Sequence, residues 1–150
     1  MKIKSFTPLI AVFGTSYLIT ISLLKSFQIF MGISVCLLAM LKLMDIEVFG
    51  TIYKKYDLIS SKFDGWIYIF PLCELLIGIS FLNYSPPSLI IFIALILGIS
   101  GMISVFKAVY LDKLKLNCAC IGGYAKTPLG IISFIENLIM AIMSILILIK

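Results

Sequence analysis

Long apolar runs constrain this chain more than any other feature. A helix that crosses a bilayer needs ~20 mostly apolar residues, because its backbone must satisfy its own hydrogen bonds in hydrocarbon. Residues 5–24, 27–41 and 88–106 hold no charged side chain. Residues 65–82 hold only Glu74, and residues 128–149 hold only Glu136. Lys42 follows the second run near enough to an end to snorkel. The runs predict five transmembrane helices, near 6–24, 27–44, 66–84, 88–110 and 128–149. Of 150 residues, 62% are hydrophobic and 13% charged, against ~25% charged in soluble domains. Little chain is left over for an aqueous core, so residues 1–150 read as one all-α integral membrane domain, a single helical bundle.

The opening "MKIK" and its apolar run have the look of a signal peptide. A signal's apolar core spans ~7–15 residues and ends at a small-residue cleavage site. This run is longer and continues into "LLKSFQ", so a retained helix is expected.

The connections are unequal. "KSF" is a tight hairpin, and "NYSPPS" is a short turn whose prolines cannot continue a helix. Residues 45–64 and 107–127 are long and rich in lysine. In the first of these, Ile46, Phe49, Tyr53, Tyr56, Ile59 and Phe63 recur at helical spacing, with Glu47, Lys54, Lys55 and Lys62 elsewhere on the wheel. That pattern suits an amphipathic helix lying in the membrane interface, with an aromatic-rich loop as the alternative.

Orientation follows from the lysines. Five spans put the N-terminus and both long loops on one side, with Lys2, Lys4, Lys42, Lys54, Lys55, Lys62, Lys107, Lys113, Lys115 and Lys126. Lys25 and Lys150 fall on the other. The positive-inside rule makes the first side cytoplasmic, as in a bacterial inner membrane. The net charge of +5 is thus a topology signal and does not argue for nucleic acid.

Polar side chains gather at that same side. Glu74 and Glu136 each lie about two turns inside a helix, counted from the lysine-rich end; Asn137 adjoins Glu136 and Cys73 adjoins Glu74. Lys42 and Asp45 end the second helix there, and Tyr56 and Asp57 lie in the following connection. Intramembrane ionisable groups are costly and usually face the bundle interior. Lys42 has a quieter role available, pairing with Glu74 or Glu136 to fix helix register. Asp45 suits a solvated helix end, Cys36 a small filler, and Met140 and Met143 packing on the Glu136 face. Ala94, Gly98 and Gly101 form a small-residue stripe suited to close helix contact.

Cys118-Ala119-Cys120, followed by Gly122 and Gly123, opens the approach to the last helix. Three chemistries fit. A disulfide needs the Cα atoms within ~4.4–6.8 Å, which this spacing reaches only in a strained turn, and strained disulfides are the labile or catalytic ones. Two thiolates also suit copper(I) or zinc, with Cys73 and Met140 as further soft ligands, since the chain has no histidine. A plain turn is the third possibility.

The run from "FMGISVC" through "KLMD", "YDL" and "P-x-x-E-x-x-x-G", followed by "NCACIGG" and "IEN-x-x-M", resembles the MauE family, which is similar to the wider DoxX-type membrane proteins. The resemblance covers residues 28–145. It implies a four-helix membrane bundle, with the helix at 6–24 as an addition. It also implies a redox role beside a thioredoxin-like or other thiol protein, in maturing disulfide-rich partners. Lys42, Asp45, Tyr56, Asp57, Glu74, Cys118, Cys120 and Glu136 fall at the family's recurring positions. The closest subgroup often carries a heavy-metal-associated domain, which these residues lack, and this weakens the metal alternative.

The leading expectation is a thiol–disulfide oxidoreductase acting as a membrane relay. Cys118 and Cys120 would cycle between dithiol and disulfide, Glu74 or Glu136 would accept protons, and Lys42 would hold a thiolate or carboxylate. Asp45, Tyr56, Asp57, Cys73 and Asn137 would support them. Electrons would be exchanged with a quinone or a thiol protein. A copper- or zinc-handling protein is the alternative, and a non-catalytic scaffold the second. The sequence argues against a nucleotide-dependent enzyme, as there is no phosphate loop and no soluble domain to hold one. One tension stands: disulfides form outside the cytosol, yet the lysines place the cysteine pair inside. Either electrons pass outward, or a metal is handled there, or the orientation is inverted.

Overall fold

The computed structural model describes residues 7–23, 27–83, 85–113 and 131–149. The described residues contain helices and turns and no strand. In chain order they form α1 (Thr7–Leu23), α2 (Phe27–Met44), α3 (Ile46–Tyr53), α4 (Trp66–Leu82), α5 (Ser88–Phe106) and α6 (Ile131–Ile149). A π-helical turn, Lys107–Leu111, extends α5. Two continuous helical stretches, Phe27–Met44 and Ser88–Leu111, have the length and apolar character to cross a membrane. Leu9–Ile21, Trp66–Leu82 and Ser133–Ile149 are shorter apolar stretches. Large side chains such as Leu18, Leu76, Leu89 and Leu146 are exposed along these helices, as a hydrocarbon surround permits.

Two antiparallel pairs make the framework: α2 against α4, and α5 against α6. Glycine sets both contacts. A Cβ added at Gly32 would lie 2.9 Å from the Gly78 carbonyl oxygen, so α2 and α4 touch through their backbones. Gln28 fixes the same pairing at its far end, donating to the carbonyls of Phe81 and Asn83 at 3.1 and 2.8 Å. In the second pair a Cβ at Gly98 would lie 3.0 Å from the Asn137 carbonyl oxygen. The stripe of Ala94, Gly98 and Gly101 is buried along this seam.

The main core joins both pairs through Met31, Val35, Phe49, Tyr53, Phe70, Ile77, Phe81, Ala94, Leu97, Met140 and Met143. The helix α1 lies on α2 through Leu9, Val12 and Leu38.

One segment differs from its expected form. The helical pattern over 45–64 is realised only at Ile46–Tyr53. Turns follow, closed by backbone bonds such as Asp57 N–H to the Tyr53 carbonyl at 2.9 Å. Phe49 and Tyr53 are buried in the core, whereas Ile59 and Phe63 are exposed. Beyond Asp57 the buried carboxylate takes up the N–H groups of Ile59 and Ser60, a local competition with helix that aspartate favours.

Candidate functional site

Four helical elements and the α3–α4 connection bring polar groups to one end of the framework. Lys42 stands in the last turn of α2, Glu74 on α4, and Glu136 and Asn137 on α6. Helical spacing places Pro71, Glu74 and Gly78 on one face of α4, and all three are buried. The Lys42 ammonium donates to both carboxylate oxygens of Glu74, at 2.7 and 2.6 Å. Their side chains are 4% and 6% exposed, so the pair is held away from solvent. Aromatic rings complete the setting: the ammonium lies 5.2 Å from the Phe70 centroid and 6.0 Å from that of Phe49. A desolvated cation is stabilised by such ring faces.

Beside this pair is a cavity of about 20 Å³, lined by Lys42, Glu74, Tyr56, Asp57, Glu136 and Asn137 among others. That is room for about one water molecule. Thus six of the candidate site residues named from the sequence share one small polar chamber. Asp45 and Cys73 are absent from its lining. Asp45 precedes α3 without a side-chain capping bond, while its carbonyl accepts from Phe49 N–H at 2.9 Å. Cys73 is half-buried on α4 and carries a free thiol, as does Cys36. Met140 is buried in the apolar core and lines neither the chamber nor the neighbouring groove. Cys118 and Cys120 lie outside the described residues. Among the described residues no three His, Cys, Asp or Glu side chains group as metal ligands.

Asp57 has a specific structural use. It is 3% exposed, and its Oδ2 accepts from Ser60 N–H at 2.7 Å and Ile59 N–H at 3.1 Å. Its Oδ1 accepts from the Ser104 hydroxyl at 3.2 Å. The carboxylate therefore closes the turn after α3 and ties it to α5. Tyr53, outside the apolar spans, packs its ring on Phe49 and Phe70. Burial, reinforced by the Asp57 and Glu74 carboxylates, holds its phenol well above the ordinary value of 10.0. Asn137 donates to the Ser133 carbonyl at 2.7 Å, and its side chain sits where a Cβ on Gly101 would be.

Several lining residues escaped the sequence reasoning: Ser104, Ser133 and Phe70. The signal for Ser104 was present, since it continues the Ala94, Gly98, Gly101 stripe by one more step of three. Ser133 likewise lies three residues before Glu136, on its face.

On the other side of Glu136 a larger groove of about 310 Å³ separates α6 from α1 and α2. Glu136 lines both spaces.

Apolar helices around a buried ion pair and a water-sized polar chamber define a helical membrane protein. The family model described as Methylamine utilisation protein MauE matches residues 15–150, nearly the whole chain, and the protein belongs to this family. The match begins within α1. No curated protein and no solved structure matches the chain significantly.

Proposed function

We propose that this MauE-family protein crosses a bacterial inner membrane five times and works as a thiol–disulfide relay through Cys118 and Cys120. The five spans are α1, α2, α4, α5 with its π turn, and α6. The connection containing α3 lies at the cytoplasmic interface, where lysines are concentrated. Residues 1–150 then act as one domain.

The observation that carries the proposal is the convergence of Lys42, Glu74 and Glu136 on one water-sized chamber. Ser133 and Glu136 line it from the start of α6, and the cysteine pair belongs to the segment leading into that helix. Exchange requires little else. A Cys118 or Cys120 thiolate attacks a partner's disulfide, breaking its S–S bond and forming a mixed disulfide. The second cysteine then attacks the mixed disulfide. The products are a Cys118–Cys120 disulfide and a reduced partner, and the two protons given up by the pair reach the partner's thiols. Glu136 carries those protons one at a time, while the Lys42–Glu74 pair holds the chamber's charge and shape. The same steps run in reverse to oxidise the partner.

The test is anaerobic purification, then thiol labelling before and after mild reduction, with metal content measured on the same sample. A substantial Cys118–Cys120 disulfide fraction without bound metal supports the relay. Stoichiometric copper or zinc, lost in Cys118→Ser or Cys120→Ser, would overturn it in favour of metal handling. Free thiols, no metal and full cellular function in the double serine variant would leave only a scaffold.

A further inference from the structure

The turns between α3 and α4 are fixed from the inside. One Asp57 carboxylate oxygen holds the N–H groups of Ile59 and Ser60, and the other accepts from the Ser104 hydroxyl. Leu58 N–H donates to the same Ser104 oxygen, at 3.4 Å. Asp57 is the one acid between Lys54 and Phe63, and it is 3% exposed. The carboxylate that could have balanced this stretch is therefore turned away from the surface.

The outward face has a different character. Lys54, Lys55 and Lys62 are all exposed. Lys54 is taken by Asp64, at 2.6 Å. Among the described residues, Lys55 and Lys62 have no carboxylate partner. Leu58 and Ile59 lie between those two lysines in the chain and Phe63 follows them; these three are 39%, 38% and 55% exposed. Unpaired positive charge interleaved with bare apolar side chains results.

Position chooses between the partners that positive charge suits, an acidic protein and an anionic lipid. The connection leaves α2 at Met44 and enters α4 at Trp66, where two apolar helices end. Met44, Tyr68 and Ile69 at those ends are exposed as well. Lysine stems lie along apolar surface while their ammonium groups reach the headgroup level. We infer that this turn binds anionic phospholipids: Leu58, Ile59 and Phe63 enter the acyl boundary, and the Lys55 and Lys62 ammonium groups meet headgroup phosphates. Phosphatidylcholine offers the same phosphate with its charge offset by choline, so the turn prefers a headgroup of net negative charge. The inference rests on the interfacial placement of this connection proposed above. It needs neither the cysteine relay nor a particular sidedness.

The reporter is built in. Trp66, the chain's one tryptophan, donates its backbone N–H to the Phe63 carbonyl at 3.1 Å. The full chain is reconstituted in dioleoylphosphatidylcholine bilayers containing increasing fractions of dibrominated phosphatidylglycerol or dibrominated phosphatidylcholine. Quenching of Trp66 fluorescence then gives the relative affinity of the two lipids at this turn. Phosphatidylglycerol should be preferred, and Lys55→Gln and Lys62→Gln should each reduce the preference ~5-fold, the effect of one lysine near a charged surface. Lys55→Arg/Lys62→Arg should keep it. Raising salt from ~0.1 M to ~1 M, which shortens the Debye length from ~10 Å to ~3 Å, should weaken it. Both lysines are exposed, so unfolding midpoints in detergent should not change with any of these variants. Cys118→Ser/Cys120→Ser should leave the preference intact, and lipid on both faces of the bilayer makes the readout independent of orientation; failure of the relay or of the sidedness is thus separable from failure of this site. Equal quenching by the two brominated lipids, or a preference that survives Lys55→Gln/Lys62→Gln, overturns the inference.

Discussion

The Lys42 ammonium lies 2.7 and 2.6 Å from the two carboxylate oxygens of Glu74, linking α2 to α4 in the protein interior. On the same two helices Gly32 and Gly78 bring the backbones together. The ion pair therefore sets register where the glycines set distance. Removing one partner strands the other charge in a low-dielectric setting. Lys42→Met or Glu74→Gln should each cost ~3–5 kcal/mol, whereas Lys42→Met/Glu74→Met should recover most of that loss. A double-mutant cycle on unfolding in detergent measures the coupling; simple addition of the two single losses would show that the pair does not set register.

The α5–α6 seam has its own check. A Cβ at Gly101 would run into the Asn137 side chain, while one at Gly14 on α1 would meet nothing within 4 Å. Gly101→Ala should destabilise by ~1–3 kcal/mol through overpacking. Gly14→Ala should be neutral or stabilising, by up to ~1 kcal/mol of helix propensity. Adding Asn137→Ala to Gly101→Ala should restore stability. Equal unfolding midpoints for the two glycine variants would refute the close contact.

Much of this was legible because hydropathy and helical period are local properties. Glu74 and Glu136 stand out in otherwise uncharged runs, and their equal depth anticipates a shared chamber. The Ala94, Gly98, Gly101 stripe reads directly as a contact. What the sequence hid was tertiary. Nothing in the spacing of Asp57 shows that its carboxylate holds the N–H groups of Ile59 and Ser60. That Lys42 meets Glu74 depends on which helices are neighbours, and spacing within one helix does not encode that.

Tyr53 predicts a pH dependence at the alkaline end. Burial raises its phenol pKa in the folded state, with the Asp57 and Glu74 carboxylates adding to the effect. Unfolding lets it ionise near the ordinary value of 10.0. The neutral phenol's contribution is complete below pH ~10 and declines as pH rises above that, because the unfolded state then binds fewer protons. Stability of the unsubstituted protein should fall more steeply above pH ~10 than that of Tyr53→Phe. Parallel stability curves across that range would contradict the assignment.

Topology offers a test that needs no purified protein. The proposed cytoplasmic location of both long connections rests on the ten-to-two division of lysines. Reporters fused after Lys62 and after Lys115 should both register a cytoplasmic location. Opposite sides would mean that the number of spans between them is odd, and both on the outside would invert the direction of electron transfer.

Asp57 and Glu136 line the same chamber yet should respond differently to the same change. Asp57 accepts from two backbone N–H groups and the Ser104 hydroxyl, and an asparagine oxygen can still accept from the backbone while the hydroxyl rotates. Asp57→Asn should therefore fold, with a loss of about 1 kcal/mol, and keep its thiol oxidation rate. Asp57→Leu leaves all three donors unsatisfied and should lose several-fold more stability, since each orphaned buried group costs ~1–3 kcal/mol. Glu136→Gln keeps size and polarity but removes the proposed proton carrier, so it should fold and lose thiol oxidation by ~100-fold, the scale of a lost acid–base function. Rates of disulfide formation, measured beside unfolding midpoints for the three variants, separate a carboxylate that builds the chamber from one that works in it. A stable Asp57→Asn protein with no turnover would move Asp57 into the proton route.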